Sequence, residues 1–292
     1  MDSSKDFNQG LPLNFPQTFL PERRFITKLL EFAELKGQGN KVSIGEKTGI
    51  PTGNSTGKVE PMIHYALGMG LITGHKRDGA VWQLNLTQLG DVVIQEDRYL
   101  KESQTLWMLH IMLCRRYTLS TPAVGFADAW FALFAEGGFR LGEKFTVSSL
   151  QSFLTDRHGE KSYLQSLSSV VVRSYLEDSC LGYIDVLQKG ADEMLFRKKA
   201  PVDTASFPVY AACFYLIWED LFFDENQITL DTFAEQSRFF ATMNWNDSMI
   251  SRWLMWMSDQ GILQVDRYTG SPVLLRLKKT EQCVAEIYSE LI

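Results

Sequence analysis

The sequence lacks the features that would point to secretion, to a membrane or to thiol chemistry. Its four cysteines, Cys114, Cys180, Cys213 and Cys283, lie far apart and form no Cys-x-x-Cys pair, so we expect reduced, partly buried thiols. Apolar stretches such as VYAACFYLIW (209–218) are too short to span a bilayer, and the N-terminus is polar. These absences predict a cytoplasmic protein that makes no membrane contact.

Positive charge is also scarce. The 292-residue chain has 29 Lys and Arg against 35 Asp and Glu, a net charge of −6. Affinity for a polyanion comes from basic side chains that displace counterions. The composition therefore argues against broad, nonspecific nucleic-acid binding, and any nucleic-acid role requires a local basic patch.

Recognisable catalytic motifs are missing. There is no Gly-x-Ser-x-Gly elbow, no His-Glu-x-x-His and no cluster of Asp, Glu and His with metal-ligand spacing. Paired carboxylates in 95–102 and 218–225 are typical of solvated helix ends, and His110 lies in an apolar helix where a core position is favoured. We expect no cofactor, no metal and no enzymatic activity, with a nuclease or sulfur-transfer enzyme as the less favoured alternative.

The segment TGIPTGNSTGKVEP (48–61) is rich in glycine and invites comparison with a phosphate-binding loop. A Walker A loop requires Gly, four residues, and then Gly-Lys-Ser/Thr. Here Thr52 stands at the first glycine position and Val59 stands where the hydroxyl should be. The segment is therefore interpreted as an enlarged turn between two helices.

The order of elements around this turn indicates a winged helix. Apolar spacing predicts helices over 20–37, 44–48 (capped by Ser43) and 58–72. The Asp78-Gly79 pair then predicts a hairpin with a two-residue turn, because a type I′ turn needs positive φ at both central positions. A helix over 86–97 would pack back on this wing.

The same order returns near the C-terminus, with helices over 206–222, 228–236 and 245–261 and a hairpin that turns at Thr269-Gly270. The middle of the chain is less clear and is either a degenerate winged helix or a purely helical bundle. The fold class is mainly α with short β-hairpins, as tandem winged helix-turn-helix units around a helical middle region. The expected divisions are an N-terminal arm (1–17), a winged-helix domain (18–100), a helical middle domain (101–205) and a C-terminal winged-helix domain (206–292).

One local patch reverses the overall charge. Residues 41–86 contain five basic and three acidic side chains, a net charge of +2. In a winged helix the second helix of the motif enters the major groove while the wing touches the backbone. The start of the helix at 58 would bind a phosphate, one histidine would face outward to a base edge, and the wing tip would contact a neighbouring phosphate. The predicted DNA-binding residues are Thr56, Gly57, Lys58, His64, Lys76 and Arg77.

Residues 231–279 of the C-terminal domain are nearly neutral, with six basic side chains against five acidic ones. A winged helix of this kind has no obligatory positive surface. It is therefore the better candidate for a protein interface.

Three segments resemble an uncharacterised prokaryotic family that is known only as a domain of unknown function: STGKVEPMIHYALGMGLI (55–72), LTQLGDVVIQEDRYLKESQTLWMLHIMLC (86–114) and SLSSVVVRSYLEDS (166–179). The resemblance covers about residues 11–290. Members of that family are often encoded beside DNA phosphorothioation genes, which specify a cysteine desulfurase and a sulfotransfer enzyme.

The resemblance implies a role in DNA sulfur modification or phage defence and assigns no catalytic residues. Two hypotheses remain open. In the first, the chain binds duplex DNA through its first winged helix and holds protein subunits of the same complex through its C-terminal domain. In the second, it is a protein–protein adaptor with no direct DNA contact.

Overall fold

Three copies of one order of elements make up most of the chain in the computed structural model, which describes residues 10–53, 56–267 and 270–291. Each copy runs helix, short strand, helix, helix and β-hairpin. In every copy the short strand pairs antiparallel with the last strand of the hairpin, so the sheet order is first–third–second. We call these copies the first, second and third repeats.

The first repeat is followed by two helices that lead into the middle of the chain. The bounds are α1 (Arg23–Glu34), β1 (Gln38–Gly39), α2 (Lys41–Thr48), α3 (Val59–Gly68), β2 (Ile72–Arg77), β3 (Val81–Leu86), α4 (Gln88–Glu96) and α5 (Ser103–Leu113).

The second repeat opens with a helix that contains a π-helical turn. Its elements are α6 (Asp128–Phe131), the π-helical turn (Ala132–Glu136), α7 (Gly137–Arg140), β4 (Lys144–Phe145), α8 (Val147–His158), α9 (Leu164–Arg173), β5 (Leu187–Lys189) and β6 (Leu195–Arg197).

The third repeat has an extra helical turn before its long helix. Its elements are α10 (Phe207–Leu221), β7 (Gln227–Thr229), α11 (Leu230–Ser237), α12 (Phe239–Thr242), α13 (Asp247–Asp259), β8 (Leu263–Asp266), β9 (Val273–Arg276) and the closing α14 (Thr280–Ala285).

The mainly α architecture with short hairpins is confirmed, and the details correct some expectations. The hairpin of the first repeat turns through three residues, since Arg77 pairs with Val81 and both Gly79 and Ala80 have positive φ. The expected two-residue turn is therefore wrong. The second repeat contains the β5–β6 hairpin, so the purely helical alternative is also wrong. Thr269, at the expected third turn, lies outside the described residues.

The helix caps show how local sequence sets the boundaries. The side chains of Thr87, Thr146, Thr229 and Asn246 each accept a hydrogen bond from an amide in the first turn of the following helix. The expected cap at Ser43 is wrong. Helix α2 already begins at Lys41, and the side chain of Asn40 caps it by accepting from the amides of Val42 and Ser43. The short polar side chains at these positions satisfy amides that would otherwise have no intrahelical partner.

Helix α5 lies at the centre and joins the three repeats. All its residues from Gln104 to Leu113 are buried. His110 Nδ1 is 2.8 Å from the Tyr175 hydroxyl, beyond α9, and its Nε2 is 3.5 Å from the Thr242 carbonyl in α12. Burial lowers the pKa of His110 to about 3, so the imidazole is neutral. The prediction of a core histidine is confirmed.

The buried side chains form one continuous cluster that extends from Leu11 to Tyr288. The three repeats therefore share a core. Among the described residues, no helix has both the length and the apolar character needed to cross a membrane.

Candidate nucleic-acid interface

The glycine-rich turn is closed on itself. Thr52 and Gly57 form an antiparallel bridge, the Gly53 amide donates to the Thr56 carbonyl at 2.7 Å, and the Lys58 amide donates to the Pro51 carbonyl at 2.9 Å. A Cβ at position 57 would lie 2.2 Å from Thr52 Oγ1, so the close approach of the two sides requires glycine. The Lys58 amide, which was expected to meet a phosphate, is occupied within the turn.

Lys58 stands at the start of α3 and points toward α1. Its ammonium pairs with the Glu22 carboxylate, lies 4.9 Å from the centroid of the Phe25 ring, and its side chain is 24% exposed. Burial opposes ionisation of Glu22, but hydrogen bonds from Lys58 and Arg24 hold the pKa of Glu22 below its usual value. The charge of Lys58 is therefore balanced inside the protein.

His64 does not present its ring to a base. The ring centroid lies 5.9 Å from that of Phe15 and 5.7 Å from that of Trp82, both in edge-to-face geometry. Burial lowers the pKa of His64 to about 4, so the ring is neutral at pH 7. The expectation that His64 faces outward is wrong because residues near the N-terminus and the hairpin enclose it.

The whole of α3 is enclosed in the same way. Its two residues that are not buried, Glu60 and His64, are only half-buried. Tyr65 shows how the cover is built, since its hydroxyl donates to the Phe19 carbonyl at 3.0 Å and its ring contacts those of Phe15 and Trp130. The expectation that α3 enters a major groove is therefore wrong.

The hairpin of the first repeat is more accessible. Lys76 donates to Glu60 at 2.6 Å and lies 5.5 Å from the Trp82 ring centroid, and this contact lowers the pKa of Glu60 against the opposing effect of burial. Arg77, the last residue of β2, is exposed, as is Thr56. What remains of the predicted interface is the hairpin tip.

Helix α13 occupies the position of α3 in the third repeat, and its surroundings differ. It buries Trp253, Leu254 and Met257 along one side only. The opposite side is exposed and includes Arg252 and Met255, whose side chain is 59% exposed. The pattern is amphipathic, so this helix offers a surface that α3 lacks.

Sequence reasoning missed a buried charged cluster between α6 and the end of α8. Arg157 donates to Asp128 at 2.6 Å and to Glu136 at 2.8 Å, and His158 Nε2 lies 2.8 Å from Asp128 Oδ2. Asp128 is buried, which opposes ionisation, but Arg157, His158 and the Gly125 amide hold its pKa at about 2. In the sequence, the only indication of this cluster is the Arg157-His158 pair at the end of a predicted helix. Its partner Asp128 lies far away in the sequence, so local patterns do not connect the two.

The cysteines offer no reactive thiol. All four are free and buried, and burial raises the pKa of Cys180 to about 11 and of Cys283 to about 12, and those of Cys114 and Cys213 further. A thiolate is the reactive form, so these sites disfavour sulfur relay. Within the described ranges, no group of three or more His, Cys, Asp or Glu is placed to hold a metal ion.

Comparison with known proteins gives a likeness of fold. No protein-family model matches the chain, and no curated protein matches it. Among solved structures, a magnesium ion-bound SspB crystal structure aligns with a TM-score of 0.73 and 15% identity over 99% of this chain and 90% of that one. A second SspB crystal structure aligns with a TM-score of 0.71 and 14% identity over 98% and 89%. The chain thus has a fold similar to that of SspB along nearly its whole length.

Proposed function

We propose that the chain is a non-enzymatic accessory subunit of a prokaryotic DNA phosphorothioation or phage-defence system, and that it acts as a protein–protein adaptor. Two observations support the system: three sequence segments resemble a family encoded beside phosphorothioation genes, and the fold is similar to that of SspB over 99% of the chain. The magnesium ion of the first of those structures belongs to SspB, and this proposal gives it no role.

Each repeat is, in this proposal, a winged helix. The motif places a short strand between its first two helices and pairs that strand with the last strand of the wing. The first–third–second sheet order in all three repeats supports this assignment. The middle repeat would then be a full member of the series, with β5 and β6 as its wing.

The exposed side of α13 is the observation that favours an adaptor. Protein interfaces concentrate their binding energy in a few central side chains, with Met and Arg enriched there relative to other surfaces. Met255 and Arg252 are exposed together on α13, while the acidic residues at both ends of the helix keep its charge low. A nearly neutral helix with an exposed methionine suits a protein partner better than a polyanion.

Binding of the protein subunits encoded beside this chain tests the proposal. We expect Met255→Asp to weaken binding of one of those purified subunits by about 30-fold, the effect of losing a central contact of about 2 kcal/mol. The matched control is Leu35→Asp, at a residue that is 81% exposed in the first repeat. Equal affinities for the wild type and Met255→Asp, measured by calorimetry, would show that α13 does not bind this partner.

Direct contact with duplex DNA is the second candidate function, and the exposed Arg77 at the hairpin tip favours it. Wing residues contact the DNA backbone in this motif, and each phosphate contact adds about one unit to the salt slope. Lys76 could join Arg77 by exchanging Glu60 for a phosphate, because this pair is only partly buried and ion pairs near the surface contribute only about 0–1 kcal/mol.

A gel shift at low salt tests this second candidate. Arg77→Glu should abolish retention of duplex DNA, whereas Lys58→Glu should change it little because Lys58 is already paired with Glu22. Lys199→Glu, at an exposed residue of the second repeat, makes the same change of charge elsewhere and serves as the control. If Arg77→Glu and Lys199→Glu reduce retention equally, or if the wild type is not retained, the hairpin is not a DNA contact.

A further inference from the structure

A cavity of about 440 Å³ lies where the second and third repeats meet. The π-helical turn and α7 line one side, β6 lines another, and α11, α12 and the residues after α12 complete it. This cavity is separate from the hairpin of the first repeat and from α13. Its volume is in the range of small-molecule sites, which is about 300–1,000 Å³.

Aromatic rings form much of the lining. Phe240 and Trp245 are nearly parallel, with an interplanar angle of 18° and centroids 6.5 Å apart, and both are buried. Phe139 also lines the cavity, and it is 81% exposed. An exposed phenylalanine beside a buried aromatic pair offers stacking surface to a planar ligand.

Two arginines in the same lining have no carboxylate partner among the described residues. Arg197 donates to the Leu133 carbonyl at 3.3 Å and to the Gly142 carbonyl, and its Nε is buried without a hydrogen bond. The Nε of Arg238 is likewise buried without a hydrogen bond.

A third arginine adds to the positive charge. Arg116 is buried and donates to the Gln236 backbone carbonyl at 2.6 Å and to the Ser120 carbonyl at 2.6 Å. Burial, and then the charge of Arg238, lower the pKa of Arg116, and the charge of Glu136 opposes them in part. Glu235 is the one acidic residue among those that line the cavity, and it is exposed.

The backbone around the cavity is held in an uncommon conformation. Arg238 and Asn244, which bracket α12, both have positive φ, at 59° and 55°. For Arg238 this region costs about 1–2 kcal/mol, whereas asparagine adopts it more readily. Both residues line the cavity, so its wall includes backbone in this uncommon conformation.

We propose that this cavity binds a nucleotide, with the base against Phe139 and the Phe240–Trp245 pair and the phosphate on Arg197 and Arg238. Guanidinium groups bind phosphate through paired N–H donors, and stacking of a base on an aromatic side chain contributes about 1–3 kcal/mol. A carboxylate-rich peptide would satisfy the arginines and leave the aromatic surface unused. A free nucleotide and an unstacked nucleotide of single-stranded DNA share the required chemistry.

Calorimetry on the full chain with defined probes tests the proposal. We expect saturable binding of dAMP, and binding weaker by about tenfold for deoxyadenosine, which lacks the phosphate, and for inorganic phosphate, which lacks the base. Inorganic phosphate that binds as tightly as dAMP would overturn the stacking part of the proposal, and the absence of saturable dAMP binding would overturn all of it. If a single-stranded oligo(dA) binds more tightly than dAMP, the bound nucleotide belongs to single-stranded DNA. If the oligonucleotide binds no better, the ligand is a free nucleotide.

Variants separate the cavity from the rest of the surface. Arg238→Gln and Phe139→Ser should each weaken dAMP binding by about tenfold, and Phe139→Ser should not alter folding because its ring is exposed. Arg267→Gln, at an exposed residue just after β8, is the control with the same loss of charge in the same repeat. If Phe139→Ser and Arg238→Gln both bind dAMP as the wild type does, the ligand is not in this cavity. The proposal does not depend on partner binding by α13, so either can fail alone.

Discussion

Helices α3 and α13 hold the same position in the first and third repeats, but they have different surroundings. The N-terminal segment, α6 and the hairpin enclose α3 until only Glu60 and His64 are partly accessible. Helix α13 is open along one side. The comparison shows that helices in the same position of a repeat can differ in exposure. Segments outside the repeat, here the N-terminal segment and α6, contribute to the cover that makes α3 part of the core.

The two repeats differ in how much of their positive charge is accessible, and formal charge counts do not show this difference. Residues 41–86 have a formal charge of +2, yet Lys58 and Lys76 are paired with Glu22 and Glu60. Glu22 lies outside the counted segment, so the count overstates the excess. Residues 231–279 of the third repeat have six basic and five acidic side chains, a formal charge of only +1, but Arg252 is exposed on its open helix. Accessible charge, and not the formal sum, governs recognition of a partner.

The largest effect that tests this comparison is a change in the free energy of unfolding. Ile63→Ala in α3 should lower the free energy of unfolding by about 2–5 kcal/mol, since Ile63 is fully buried. Met255→Ala in α13 should change it by no more than about 0.5 kcal/mol, since Met255 is exposed. Urea denaturation monitored by circular dichroism measures both values. Similar losses in the two variants would mean that α3 and α13 are equally covered in solution.

Much of the fold could be predicted from local sequence. Helical periodicity and the hairpin at Asp78-Gly79 depend on a few neighbouring residues, so they can be recognised without tertiary information. The same order of helices and hairpin, which recurs near the C-terminus, also predicted the third repeat from the first. The boundaries of the four domains stay predictions.

The candidate site was far less predictable, and the reason is physical. Whether Lys58 meets a phosphate depends on Glu22, which lies 36 positions earlier, and whether His64 faces solvent depends on Phe15. The cavity at Arg197 and Arg238 likewise unites residues from two repeats. Burial and pairing of this kind arise from tertiary packing, and no local pattern in a single sequence encodes them.

The second, smaller effect concerns acid stability and would sharpen the comparison. The third repeat contains no histidine, whereas the first contains His64, whose pKa falls from 6.5 to about 4 on burial. Above pH 6.5 neither the folded nor the unfolded state binds this proton. Between pH 6.5 and about 4 only the unfolded state binds it, so His64 should remove about 1.4 kcal/mol of stability per pH unit.

Replacing the ring isolates that contribution from the similar one of His110. We expect His64→Phe to reduce the slope of unfolding free energy against pH, between pH 6 and pH 4.5, by about 1.4 kcal/mol per unit. The same replacement at Met255 removes no titratable group and should leave the slope as it is in the wild type. Parallel slopes for the wild type and His64→Phe would mean that the first repeat opens enough to protonate His64 while still folded. In that case α3 would be accessible after all, and the difference between the two repeats would be one of degree.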